Sequence, residues 1–70
     1  MEMFTITVNG RPRPYVERTV DELLRSLGLD PEKPGIAVAV NSEVVPRSMW
    51  RSTRLRPLDR VEVVTAVAGG

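Results

Sequence analysis

Cysteine and histidine are both missing from this 70-residue sequence. Without cysteine there is no disulfide, no thiolate metal site and no thiol nucleophile. Without histidine the usual general base and the commonest metal ligand go as well. Carboxylates and hydroxyls remain, but a serine or threonine with no base beside it is a weak nucleophile. Aromatic residues are scarce, one each of Phe, Trp and Tyr, too few for a platform on which bases could stack. Neither sign of charge dominates, since ten Lys and Arg face nine Asp and Glu for a net charge of +1, so no bulk field demands an anionic partner. No apolar run approaches the roughly 20 residues that cross a bilayer. The opening Met1-Glu2-Met3-Phe4 also lacks a basic stretch ahead of an apolar core. The expectation is a cytoplasmic protein with no membrane or nucleic-acid partner and no metal. One domain, residues 1–70, is all this length supports, and so small a fold buries only about 60% of the surface its unfolded chain exposes. Deep enclosed active sites are excluded, and any chemistry belongs at the surface or at an end.

The residues present divide into short periodic segments. Met3 to Val8 alternates, with Phe4, Ile6 and Val8 on one face and Met3, Thr5 and Thr7 on the other, which predicts a half-buried strand. Asn9-Gly10 reads as a hairpin turn. The return strand, about Arg11 to Glu17, contains Pro12 and Pro14, which lack the amide proton that a central strand needs and so place it at a sheet edge. Thr19-Val20-Asp21-Glu22 fits a capping box, with Thr19 as N-cap and Glu22 reaching back to its amide. Val20, Leu23, Leu24 and Leu27 make one apolar stripe, which Gly28 ends and Pro31 keeps from resuming. Ile36 to Val40 is an apolar run with small Ala37 and Ala39 between bulky residues, read as a central strand. Asn41-Ser42-Glu43 turns into a short strand at Val44-Val45, stopped by Pro46. Arg47 to Leu58 is expected to be irregular, with one helical turn capped by Ser48 and anchors at Trp50 and Leu55. The last strand, Arg60 to about Val67, puts Val61, Val63, Thr65 and Val67 on one face and Glu62, Val64 and Ala66 on the other. Strand, strand, helix, strand, short strand, strand is the order of an α+β, ubiquitin-like β-grasp fold, a mixed sheet of four to five strands with one main helix on one face.

Three features can carry function. The tail Val67-Ala68-Gly69-Gly70 offers two residues without side chains, able to enter a passage too narrow for anything larger. A frayed end that happens to be glycine would look the same. The predicted strand register puts Met3, Ala37, Ala39, Val64 and Ala66 on the face opposite the core, an apolar patch that can dock a partner. A register shift of one residue would erase it. Arg47, Arg51, Arg54, Arg56 and Arg60 concentrate positive charge that only Asp59 opposes locally. Arginine forks suit carboxylates and phosphates, but a solvated loop explains them more simply than nucleic acid does. Asp21 and Glu22 fit the acidic first turn of a helix better than a catalytic pair.

Taken together, Ile36-Ala37-Val38-Ala39-Val40-Asn41, Val45-Pro46-Arg47 with Trp50 close behind, and Asp59-Arg60-Val61-Glu62-Val63-Val64 running into Ala66-Val67-Ala68-Gly69-Gly70 closely resemble the ThiS family, the sulfur carriers of thiamine biosynthesis. The resemblance spans nearly the whole chain and is specific in its C-terminal part. It departs at Pro57-Leu58-Asp59, where the family often has Asp-Gly-Asp. What it implies is a carrier rather than an enzyme, with a flexible tail over residues 67–70 and a carboxylate at Gly70 as the working group. A ThiF-type adenylating enzyme would use ATP to form an acyl-adenylate there, with no cofactor bound by the carrier itself. A persulfide sulfur donor of the cysteine desulfurase type would convert it to a thiocarboxylate, which would give its sulfur to a ThiG-type thiazole synthase. Val67, Ala68 and Gly69 would enter the partners' active sites. Three other readings stay open. They are the small subunit of molybdopterin synthase, with the same chemistry; a ubiquitin-like modifier, whose single lysine, Lys33, would exclude chains built through several lysines; and an RNA-binding β-grasp module using the arginine segment.

Overall fold

The computed structural model describes residues 3–66. In chain order they form β1 (Thr5–Val8), β2 (Arg11–Pro14), α1 (Val20–Ser26), β3 (Ile36–Val40), β4 (Glu43–Val44), one 3₁₀ turn (Arg47–Met49) and β5 (Arg60–Thr65). The strands make one mixed sheet in the order β2-β1-β5-β3-β4. β5 takes the middle, parallel to β1 and antiparallel to β3, and each outer hairpin adds one antiparallel strand.

Asn9 and Gly10 both adopt positive φ, 53° and 81°, the pair of left-handed residues that a two-residue hairpin turn needs. The prolines of β2 are accommodated by register. Pro12 and Pro14 face Thr7 and Thr5, and those two residues use their backbone groups on the opposite side, Thr7 N–H to Asp59 O at 3.0 Å and Leu58 N–H to Thr5 O at 2.7 Å. No proton is therefore required of either proline by β1. The strand stops at Pro14, short of the expected Glu17.

Thr19 caps α1 as expected, its hydroxyl accepting from Glu22 N–H at 3.2 Å. The reciprocal bond differs: Glu22 Oε1 accepts from the amide of Arg18, one residue before the cap, at 2.9 Å. Arg18 and Thr19 are drawn into a bridge with Arg54 and Leu55, which turns the Arg18 amide toward the carboxylate. At the other end Gly28, with φ +82°, donates to Arg25 O at 3.0 Å, and Leu29 donates to Leu24 O at 2.9 Å. This is the Schellman arrangement, which satisfies carbonyls that a helix end leaves open.

Val20, Leu23 and Leu24 of α1 pack with Ile6, Val8, Val38, Val61 and Val63 of the sheet, and Trp50 and Leu55 close the core. Trp50 Nε1 donates to Val45 O at 2.9 Å, so the indole is buried without an orphaned proton. Phe4 does not join them. It is 58% exposed, because β1 begins only at Thr5 and the helix stripe ends before reaching it. Thr65, expected on the core face, is exposed for the same reason at the far end of β5. Ser48 lies inside its helical turn, and the cap position is Pro46, which makes no side-chain cap bond. The expected Val44-Val45 strand is shifted by one residue to Glu43–Val44.

Candidate functional site

The sequence directs attention to the end of β5 and to the sheet face opposite α1. Along β5, Val61 and Val63 are buried while Glu62, Val64 and Ala66 are exposed, so the expected register is the observed one. Ala37 pairs with Val64, and Ala39 lies between Glu62 and Val44 on neighbouring strands. Ala37, Ala39, Val44, Glu62 and Val64 line a shallow hollow of about 220 Å³. Its small floor follows from the two alanines and its walls from Val44 and Val64, which are 79% and 64% exposed.

Ala37, Ala39 and Val64 are thus brought together, and Ala66 lies just beyond, its N–H donating to Gly35 O at 2.7 Å. Met3 is exposed but apart from them. It precedes residues that bond to Tyr15 and Leu58, roughly 20–26 Å back along the direction of β5 at ~3.3 Å per residue. Val44 and Glu62 belong to the hollow although the sequence reading did not include them. The signal for Val44 was its place opposite Ala39 across the Asn41-Ser42 turn. Val67, Ala68, Gly69 and Gly70 lie outside the described residues.

The end of β5 is held from both sides by groups that strand patterning does not reveal. β1 ends at Val8, and beyond it the side chain of Asn9 takes over the ladder. Its Nδ2 donates to Val63 O at 3.0 Å, and Val63 N–H donates to its Oδ1 at 2.8 Å. On the other side Gly35 receives Ala66. At the start of β5, Asn41 plays a similar part, accepting from Arg60 N–H on Oδ1 and donating from Nδ2 to Asp59 Oδ1, each at 2.9 Å.

The arginine segment is mostly solvated. Arg51, Arg54, Arg56 and Arg60 are exposed, and Asp59 spends its carboxylate on the Arg56 amide and Asn41. Arg47 differs: it donates to the carbonyls of Pro31 and Lys33, and its guanidinium lies 4.5 Å over the Trp50 ring. On α1, the hydrogen bond and charge of Asp21 push the Arg25 guanidinium still further above its ordinary pKa, so Arg25 stays charged. Among the described residues no group of three acidic side chains converges to hold a metal, and no helix is long and apolar enough to cross a membrane.

A mixed five-stranded sheet carrying one helix, with an apolar sheet face beside the end of its middle strand, defines a small protein of the ubiquitin-like β-grasp class. Its described surface presents shape and apolar contact rather than reactive side chains. The model of the ThiS family matches residues 6–70, and the chain belongs to that family. It is 37% identical over 65 residues to the sulfur carrier protein ThiS of Thermus thermophilus, covering 93% of this chain and 98% of that one. The crystal structure of thiamine biosynthesis protein ThiS from Geobacter metallireducens superposes with a TM-score of 0.74 at 31% identity, covering 94% of this chain and 99% of that one. A thiazole synthase of Paramagnetospirillum magneticum is 35% identical over 66 residues, covering 93% of this chain, while the chain spans 20% of the length of that relative.

Proposed function

We propose that this chain carries sulfur for thiazole formation as a thiocarboxylate on Gly70. The observation that carries the reading is the family match, which runs through the tail to residue 70. It favours the thiamine carrier over the molybdopterin, modifier and RNA-binding alternatives.

The chemistry follows from what a carboxylate can and cannot do. A carboxylate is a poor electrophile, so a ThiF-type partner transfers AMP from ATP to Gly70, releasing pyrophosphate and creating a good leaving group. The outer sulfur of a persulfide on a donor protein attacks the acyl carbon and expels AMP. A second thiol then cleaves the sulfur–sulfur bond, forming a disulfide and leaving the thiocarboxylate. Its anionic sulfur is nucleophilic and bonds to the substrate of a ThiG-type synthase; an oxygen nucleophile, water or a substrate hydroxyl, then attacks the acyl carbon and breaks its bond to sulfur, and the carboxylate is restored directly or by hydrolysis of the ester so formed. The partners supply every catalytic group, and the carrier works in the cytoplasm without a bound cofactor. That a thiazole synthase contains a segment similar to this chain supports the synthase as a partner.

Ala37, Ala39, Val44 and Val64 form the docking face in this proposal, and Val67, Ala68 and Gly69 thread the partners' channels, where bare glycine backbone is the narrowest chain available. Intact-mass spectrometry after incubation with ATP, the cognate activating enzyme and a sulfur donor tests it. The expected result is a shift matching exchange of one oxygen for sulfur, abolished by deleting Gly70. An unchanged mass under conditions that load another ThiS carrier refutes it.

A further inference from the structure

The carrier reading asks how the carboxylate of Gly70 is aimed, and the described residues show what holds the chain four positions before it. At 3.3–3.6 Å per residue, residues 67–70 can extend no further than about 14 Å from Ala66. Where Ala66 sits therefore bounds where the carboxylate can go. Ala66 follows Thr65, the last paired residue of β5, which faces Ile36. It is exposed, so no burial fixes it. Its one described backbone bond is the 2.7 Å bond to Gly35 O.

Gly35 has φ +86°, and a Cβ built there would lie 3.4 Å from Ala66 O and 3.5 Å from Ala66 Cβ. Its three nearest neighbours all belong to Ala66. Gly28 offers a comparison within the same chain: its φ is +82°, yet a Cβ there would meet nothing within 4 Å. The two glycines share a backbone requirement and differ in that Gly35 abuts the root of the tail. The loop that delivers Gly35 is itself pinned. Arg47 binds the carbonyls of Pro31 and Lys33 and is braced on Trp50, which is 2% exposed.

We propose that Gly35 is a positioning residue of the carrier reaction: the seat it makes for Ala66, held in place by Arg47, sets the direction in which the tail leaves the domain and so the productive approach of the Gly70 carboxylate to an activating enzyme. This rests on the carrier reading. A Cβ at position 35 would meet Ala66 first, at ordinary contact distance, so the nearest group that a larger side chain there disturbs is the root of the tail. An added methyl rests on Ala66 at ordinary contact distance, and valine adds two more methyl groups beside that contact, so the larger variant is the stronger perturbation.

The test compares Gly35→Ala and Gly35→Val with Gly28→Ala and Gly28→Val in the full chain. Pyrophosphate release with the cognate activating enzyme gives kcat and KM, amide hydrogen exchange at Ala66 reports the seat directly, and thermal unfolding gives stability. Both glycine positions should lose similar stability, because the left-handed backbone disfavours a side chain equally at each. Gly35→Val should lower kcat/KM on the order of 10- to 100-fold, the scale of misplacement by about 1 Å, and should speed Ala66 exchange about tenfold. Gly35→Ala and Arg47→Ala should fall between it and wild type. The Gly28 variants should stay within about twofold of wild type, since surface strain away from the reacting end registers as stability alone. Equal kcat/KM losses at positions 28 and 35, or unchanged Ala66 exchange in Gly35→Val, would overturn the proposal. If Gly35→Val does not fold, the two alanine variants decide on the same criterion. A wild-type chain that is never adenylated sinks the carrier reading and this proposal with it, whereas normal wild-type turnover with indistinguishable variants sinks this proposal alone.

Discussion

Replacing Asn9 by glycine separates the two jobs this residue performs. Glycine accepts the φ of 53° that the turn imposes, so the hairpin geometry survives while the side-chain amide is lost. Two hydrogen bonds to Val63 then disappear, one accepted by its carbonyl and one donated by its N–H. At about 1 kcal/mol net for each bond, the loss is about 2 kcal/mol. Val63 is 8% exposed, and β1 has no further residue to pair with it on that side, so incomplete rehydration adds to the loss. Glycine's extra freedom in the unfolded chain adds roughly 0.5–1 kcal/mol more, and little is regained from backbone relief because asparagine, unlike leucine, adopts the left-handed region readily. A total near 2–3 kcal/mol is a large share of the roughly 3.5–10 kcal/mol expected of a domain this size. It lowers Tm by about 8–24 °C. Urea and thermal unfolding can be followed by the fluorescence of Trp50, the single tryptophan of the chain, with amide exchange at Val63 as the local readout. Asn9→Asp keeps the acceptor and loses the donor, and should fall between wild type and Asn9→Gly. A loss below about 0.5 kcal/mol, the ordinary range for surface substitutions, would refute the reasoning and make Asn9 a turn residue only.

Leu24→Ala removes a side chain with no exposure and should cost about 2–5 kcal/mol, leaving a chain that is largely unfolded at moderate urea by circular dichroism. Leu58 is 75% exposed and holds φ +72°; Leu58→Gly relieves a left-handed penalty of ~1–2 kcal/mol against a flexibility cost of ~0.5–1, so Tm should rise by a few degrees, and a fall would contradict the strain argument. Val64→Asp places a charge on the docking hollow without touching the core. Unfolding should change by no more than about 0.5 kcal/mol while the KM of the activating enzyme for the carrier rises, and an unchanged KM would remove this face from the proposed interface.

Local signals were the most legible part of the sequence. Asn9-Gly10, the Thr19 cap, Gly28 and the paired prolines each act within a few residues of chain or on the strand directly beside them, and each performs its expected role at its expected place. The alternation of β3 and β5 likewise gave the faces correctly, because Val38, Val61 and Val63 cannot leave the core without turning whole strands over. What escaped were long-range uses of short polar side chains. Asn9 and Asn41 read only as turn formers, yet both also bond to β5, 54 and 19 residues away in sequence. Phe4 has the correct parity and still lies outside, since burial needs a helix above it and α1 is only seven residues long. Nothing in the local sequence around Gly35 marks it, since its contact with Ala66 exists only once β3 and β5 are paired.

The prolines of β2 have an effect outside the molecule. Because Arg11 and Arg13 face the hydrogen-bonding positions of β1, the edges of Pro12 and Pro14 turn outward, and the free margin of the sheet lacks the amide protons at those two positions. An incoming strand finds acceptors there but no matching donors. The opposite margin, β4, is two residues long and carries Glu43. In the carrier reading, a chain that presents its end to other proteins is at risk of presenting it to its own copies, zipping tail to edge in a growing array. With one border deprived of donors and the other too short to template a strand, that self-assembly is discouraged, which in the carrier reading keeps the end available to the proposed partners.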